Sequence, residues 1–283
     1  MRELYTATRS VARHAALDAL AIGRRFSGRT TRDLSRPRVH FLYLHAVPAH
    51  EVPTFRRFVA EVAEHHDLVS YSRAVELAKS DGPSRPNVCF SFDDAFASNF
   101  AASRVLEEFG TTACFFVPTR FVGCDSVTEA RRFYGVSDGV NEIAMTWSEL
   151  EDMVSRGHEV GNHTMSHRVI SELSESEVYD EISGARETLR ERLDQGMHFA
   201  WPRGRFVHFT PYATRTVFET GHLSCASAVR GSHESAVGQD QLRMCIRRDH
   251  IKTSWPVRHS RYFVGTSSAR AGAGAWPADW EVA

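Results

Sequence analysis

The sequence predicts an α/β protein built on a mainly parallel sheet, and three observations carry that prediction. Short β-prone runs alternate with segments whose apolar residues recur at helical spacing, as in repeated strand and helix units. The 283 residues are 42% hydrophobic and 24% charged, enough to bury roughly three quarters of the unfolded surface in an ordinary globular core. The apolar run from Val88 to Phe92 ends on adjacent carboxylates, Asp93 and Asp94. Parallel sheets place their ligands at that end of a strand.

From Met1 to His45 nine arginines face three acids, although 34 basic and 35 acidic side chains leave a net charge of -1 overall. That total suggests no nucleic-acid partner; the basic segment, residues 1–38, is expected to be a solvated arm or helix that at most makes weak contact with an anionic surface. Arg13, His14 and Asp18 interrupt its apolar stretch, and nothing approaches the length of a membrane span. We therefore expect a cytoplasmic protein with no signal peptide and no transmembrane segment. The five cysteines have no CxxC spacing, which argues against a disulfide framework or a cysteine zinc site; Cys89 and Cys114 lie in apolar runs and read as core.

Residues 39–44 form the first predicted strand. Phe55, Phe58, Val59 and Val62 mark a helix begun near Pro53, followed by a strand over 68–71 and a helix over 72–79. After the acidic strand comes a helix carrying Ala102, Val105, Leu106 and Phe109, with Gly110 past its end, then a strand over 112–117. Residues 118–144 have no clear period and predict a long loop over the site. Thr146-Trp-Ser-Glu149 and Ser174-Glu-Ser-Glu177 are capping boxes for two helices, with a strand over 158–161 between them. Strands over 197–201, 223–229 and 242–246 and a helix over 211–220 complete a domain of residues 39–264. The Gly- and Ala-rich residues 265–283 are expected to form a flexible tail.

Two neighbouring acids repel, so a positive partner is needed near Asp93 and Asp94. His163 and His167, four apart and expected on one helical turn, follow a predicted strand. A carboxylate with two imidazoles suits a catalytic zinc or similar divalent ion with positions left open.

Phe90-Ser-Phe-Asp-Asp-Ala95, His163-Thr-Met-Ser-His167 and Phe199-Ala-Trp-Pro-Arg-Gly204 stand in the order of the first three motifs of the polysaccharide deacetylases, carbohydrate esterase family four, and resemble them. Tyr43-Leu-His45 and Gly157-His-Glu-Val-Gly161 add to the likeness. The resemblance implies a distorted (β/α)7-type barrel with the metal site at the carboxyl ends of its strands. It implies removal of the acetyl group from an N-acetylhexosamine in a carbohydrate or glycoconjugate. Asp93 would be the general base; Asp94, His163 and His167 would hold one divalent ion, zinc by preference. The backbone N–H of Arg203 would stabilise an oxyanion, and His250 or His45 would be the acid. Trp201 could stack on a sugar. The sequence departs from the family pattern at Ala95, where glycine is usual, and at Arg203, where an aromatic is usual. It also lacks the arginine that normally precedes the third-motif proline. The substrates in view are an N-acetylated sugar, an oligosaccharide or a nucleotide- or lipid-linked sugar. The competing readings are a same-fold hydrolase of a non-sugar amide and a carbohydrate-binding relative without catalysis.

Overall fold

The computed structural model describes residues 2–80, 82–234, 243–267 and 275–280, with backbone alone over 2–12. The chain opens with helices α1 (Arg2–Phe26) and α2 (Arg29–Leu34), separated by Gly28 at φ 68°, a backbone conformation that glycine adopts without penalty. Strand β1 (Arg38–Leu44) is buried along its whole length. Helix α3 (Val52–Ala63) buries Phe55, Phe58, Val59 and Val62, the face its spacing predicts. Strand β2 (Asp67–Leu68) is shorter than expected because the Ser70 hydroxyl accepts from the Arg73 N–H and caps α4 (Tyr71–Lys79).

Strand β3 (Pro86–Asp93) leads to α5 (Ser98–Glu108) and β4 (Ala113–Val117). The stretch expected to be structureless contains α6 (Val127–Phe133), capped by the Ser126 hydroxyl on the Glu129 N–H. Both predicted capping boxes are formed, at the starts of α7 (Trp147–Ser155) and α8 (Glu175–Leu193), with β5 (Glu159–Asn162) between them. Then follow β6 (His198–Ala200), α9 (Pro211–Glu219), β7 (Ser224–Ala226), β8 (Cys245–Ile246), β9 (Asp249–His250) and α10 (Val257–Ser267). The strand expected over 242–246 begins partly outside the described residues, at Leu242.

Every strand pairing is parallel, in the order β8-β7-β6-β5-β4-β3-β1-β9, with β2 added beside β3. The two end strands of this order, β8 and β9, are separated by only Arg247 and Arg248. That dipeptide is the seam that rolls the sheet into a barrel. Counted round the wall, β1, β3, β4, β5, β6, β7 and the β8–β9 run make seven positions.

Alternation along β3 sorts its side chains. Phe90 and Phe92 face the helix layer, where both pack against Phe55. Cys89 joins Val39, Phe41, Cys114, Phe116, Ala226 and Ile246 in the barrel interior, as expected for a core cysteine, and two further steps on the same face bring Asp93 to the mouth.

The basic N-terminal segment is docked against α10. Asp18 of α1 accepts from Arg258 Nε at 2.5 Å, from Arg258 Nη2 at 2.9 Å and from His259 Nε2 at 2.6 Å. The helix ends at Ser267, so the boundary placed at 264 falls inside it. Farther on, Trp276 donates from Nε1 to the Arg243 carbonyl at 2.6 Å and stacks against Trp201 and Trp280. Most of the rest of the expected tail, residues 268–274 and 281–283, lies outside the described residues. Among the described residues no helix is long and apolar enough to cross a membrane.

Candidate active site

At the carboxyl ends of β1, β3, β5 and β6 a cavity of about 300 Å3 is lined by Tyr43, His45, Asp93, Asp94, His163 and His167, and at its far wall by Trp201, Arg203 and Gly204. Tyr134, Val136 and Val140 of the long loop form its cover. A second lobe of about 560 Å3 shares His45, Asp94, Phe96 and Val140 with the first and continues past His250 to Thr253. The loop therefore covers the site as its position in the sequence predicts.

Asp93 and Asp94 are both buried, and their mutual repulsion is relieved in two different ways. Arg248 donates from Nη1 to Asp93 Oδ1 at 2.7 Å and from Nη2 to Oδ2 at 2.8 Å, a bidentate pair inside the barrel. Its guanidinium also donates to the Ser227 carbonyl and the Ser91 hydroxyl and lies over the Tyr43 and Phe116 rings. Burial alone would raise the Asp93 pKa, but the Arg248 charge, with His163, holds it below the ordinary carboxylate value. The positive partner that the sequence called for is thus, for Asp93, an arginine on the barrel seam.

Asp94 meets the histidines. Its Oδ1 lies 3.1 Å from His167 Nε2 and 3.5 Å from His163 Nε2, and its Oδ2 lies 3.8 Å from His45 Nε2. His163 and His167 do not share a helical turn as expected. His163 is the residue directly after β5, and His167 ends a tight loop with φ 56°. Glu181 of α8 folds that loop by accepting from the Met165 N–H at 2.9 Å and the Ser166 N–H at 2.8 Å. The strand places the first imidazole and the loop brings the second to it.

The chemistry of this trio fits a divalent cation. His163 Nδ1 lies 2.6 Å from the Ala200 carbonyl and must donate its proton there, so Nε2 turns its lone pair toward Asp94. Asp94 Oδ1 is buried without a hydrogen bond. Asp94, His163 and His167 offer one ligand atom each, all within 4.8 Å of one another, and form the sole such group among the described residues. Burial disfavours a proton on His163, yet the two carboxylates outweigh it and raise its pKa; on His167 burial prevails and the pKa falls.

Six described non-glycine residues have positive φ, and five line or support this site: Asp94, Ala95, Thr164, His167 and Arg203. Such conformations cost about 1–3 kcal/mol each and survive where the surroundings enforce them. Ala95, where the motif usually has glycine, adopts φ 53°, so the backbone turn is kept in spite of its Cβ. Tyr134 helps to hold this turn by donating from its hydroxyl to the Asp94 carbonyl at 2.8 Å.

His45 and His250, rival candidates for one task, touch each other: His45 Nδ1 lies 3.2 Å from His250 Nε2. His250 stacks on Tyr43, with ring centroids 4.8 Å apart, and burial followed by the neighbouring His45 lowers its pKa to about 3. His45 is more open and borders both lobes. Trp201 requires a correction. Its ring is fully buried, with Phe209 stacked 4.4 Å away and nearly parallel, so it is not a free platform for a sugar.

A parallel α/β barrel with its acids and histidines at the carboxyl ends of the strands carries its candidate site where barrel enzymes carry theirs. Residues 80–219 match the family model for polysaccharide deacetylase. Residues 80–219 are thus a polysaccharide deacetylase domain, and the chain is a hydrolase of that type. Its fold is similar to IcaB from Ammonifex degensii (18% identity over 82% of this chain and 97% of that one, TM-score 0.65). It is also similar to the Streptococcus pyogenes deacetylase PplD in complex with acetate (15%, 81% and 98%, 0.61). A third likeness is to a de-N-acetylase from Aggregatibacter actinomycetemcomitans (16%, 80% and 99%, 0.60). No curated protein matches the sequence.

Proposed function

We propose that this deacetylase hydrolyses the acetamido group of an N-acetylhexosamine within a carbohydrate or glycoconjugate. The observation that carries the reading is the convergence of Asp94, His163 and His167 beside an Asp93 clamped by Arg248, all in one open cavity. Asp94, His163 and His167 would hold a divalent ion, zinc by its donor set, which supplies Lewis acidity and lowers the pKa of water in the cavity.

The chain's own groups divide the remaining work. Asp93, an ionised carboxylate whose remaining lone pairs are free, accepts the proton of the attacking water. Arg248 keeps it ionised and fixes its plane. Pro202 and Arg203 occupy the centre of a turn closed by the Gly204 N–H on the Trp201 carbonyl at 3.2 Å, and the Arg203 N–H makes no hydrogen bond among the described residues. That free donor suits a developing oxyanion, where one hydrogen bond is worth about 100- to 1000-fold in rate. The departing amine needs a proton, and the His45–His250 pair delivers it: His45 reaches the cavity, and His250, held by Tyr43, orients it.

Purified protein loaded with zinc should release acetate from N-acetylated oligosaccharides or sugar derivatives. Asp93→Asn should retain the metal while turnover falls about 100- to 10,000-fold, the usual loss of a general base. Acetate release from simple acetamides but never from sugars would overturn the substrate assignment, and metal lost together with activity in Asp93→Asn would make that residue a ligand.

A further inference from the structure

Arg203 has an exposed side chain on the lining of the cavity, and the chemistry above uses only its backbone. The guanidinium has no ion-pair partner among the described residues. Its placement is costly. With proline before it and φ 65°, it fills the third position of a type II-like turn, where glycine or asparagine is at ease and arginine is strained. Gly204 next to it cannot yield, because a Cβ there would sit 2.3 Å from the Ala228 Cβ, and the Ala228 N–H donates to the Gly204 carbonyl at 2.8 Å. The backbone thus holds Arg203 at the rim.

The two carboxylates on its side of the cavity have partners. Asp93 is paired with Arg248, and Asp94 faces His163 and His167. In the second lobe Glu51, which accepts from the Thr253 hydroxyl, and Glu142 outnumber Lys252, so that lobe leans negative and the Arg203 side is the one suited to an anion. Arg203 is left as the one uncompensated side-chain charge on the metal side of the cavity, and an exposed, unpaired guanidinium is a fork for phosphate or carboxylate oxygens.

Resting on the deacetylase reading, we infer that Arg203 selects acetamido sugars that carry an anionic group, a phosphate or a carboxylate, on the reacting sugar or its neighbour.

The test uses the full zinc-loaded chain and two matched probe pairs. N-acetylglucosamine 1-phosphate is compared with methyl N-acetylglucosaminide, and a hyaluronan tetrasaccharide with chitotetraose; acetate release is followed in each. In at least one pair kcat/KM for the charged member should exceed that of its neutral partner by roughly 10- to 100-fold, as a charge-assisted pair allows, and the pair that responds tells phosphate from carboxylate. The advantage should shrink on raising salt to about 0.5 M. It should vanish in Arg203→Asn, which tolerates the left-handed turn, and return in part in Arg203→Lys. Equal rates within both pairs, or an Arg203→Asn loss that is the same for charged and neutral probes, would overturn the inference and leave the deacetylase reading standing. No acetate from any of the four probes would count against both.

Discussion

At the mouth of the barrel His45, His163, His167 and His250 gather round two carboxylates, whereas near its floor His40, His66, His158, His222 and His233 are buried, only His158 among them meeting a carboxylate, that of Glu107 at 3.0 Å. Each floor ring lies in or beside the amino end of a strand. His158 Nδ1 accepts from the Ala113 N–H at 3.1 Å, His233 Nε2 accepts from the Arg247 N–H at 3.0 Å, and His66 Nδ1 lies 3.1 Å from the Val62 carbonyl. Burial pushes the pKa of His66, His158 and His233 down to about 4 and that of His222 to about 3. The comparison teaches that a histidine count says little until depth and partner are known. Burial holds the floor rings neutral at the strand ends; the mouth rings are those proposed above as ligands and proton carriers.

The largest effect expected from breaking this division is at the mouth. His163→Ala removes the imidazole oriented by the Ala200 carbonyl, and both metal content and acetate release should fall to background, measured by elemental analysis and by rate. Full retention of metal would remove His163 from the ligand set.

Arg248→Met tests the clamp between the two regions. It leaves Asp93 buried without its counter-charge, so it should cost about 3–5 kcal/mol of stability in denaturant unfolding and depress turnover through a misoriented or protonated base. A variant as stable and as active as the parent would show that Asp93 needs no clamp.

The smallest effect is at the floor and appears only on acidification. The folded pKa values of His66, His158 and His233, about 4, lie below the ordinary 6.5, so the folded state binds these protons more weakly than the unfolded chain. Their contribution is complete above pH 6.5 and is lost progressively as the pH falls from about 6.5 to 4. Calorimetry should show Tm declining through that window, and a flat Tm would mean that these rings do not remain neutral in the folded protein.

Local patterns were readable from the sequence. The acidic strand, the two capping boxes and the helix faced by Phe55, Phe58, Val59 and Val62 each depend on residues within one or two turns of each other, and each is formed. The signal for α6 is equally local, Ser126-Val-Thr-Glu129, but it lies inside a stretch whose lack of period predicts a loop. Arg248 was beyond local reading. Two arginines before Asp249 and His250 resemble a charged surface loop, and only closure of the sheet reveals that one of them points inward to a strand 155 residues earlier. The same holds for His167, whose position depends on Glu181 and on a left-handed backbone rather than on the four-residue spacing. Trp201 looked like a sugar platform because the aromatic rings that cover it, Phe209 and Trp276, are distant or unremarkable in sequence.

The seam at Arg247 and Arg248 also sets the order in which a nascent chain becomes an enzyme. By residue 204 the ribosome has delivered all three motifs and every candidate metal ligand, yet the counter-charge for Asp93 has not been made. A barrel still open at that stage holds Asp93 at its lip without its counter-charge, while Asp94 already faces His163 and His167, and the arrival of residue 248 supplies the missing charge.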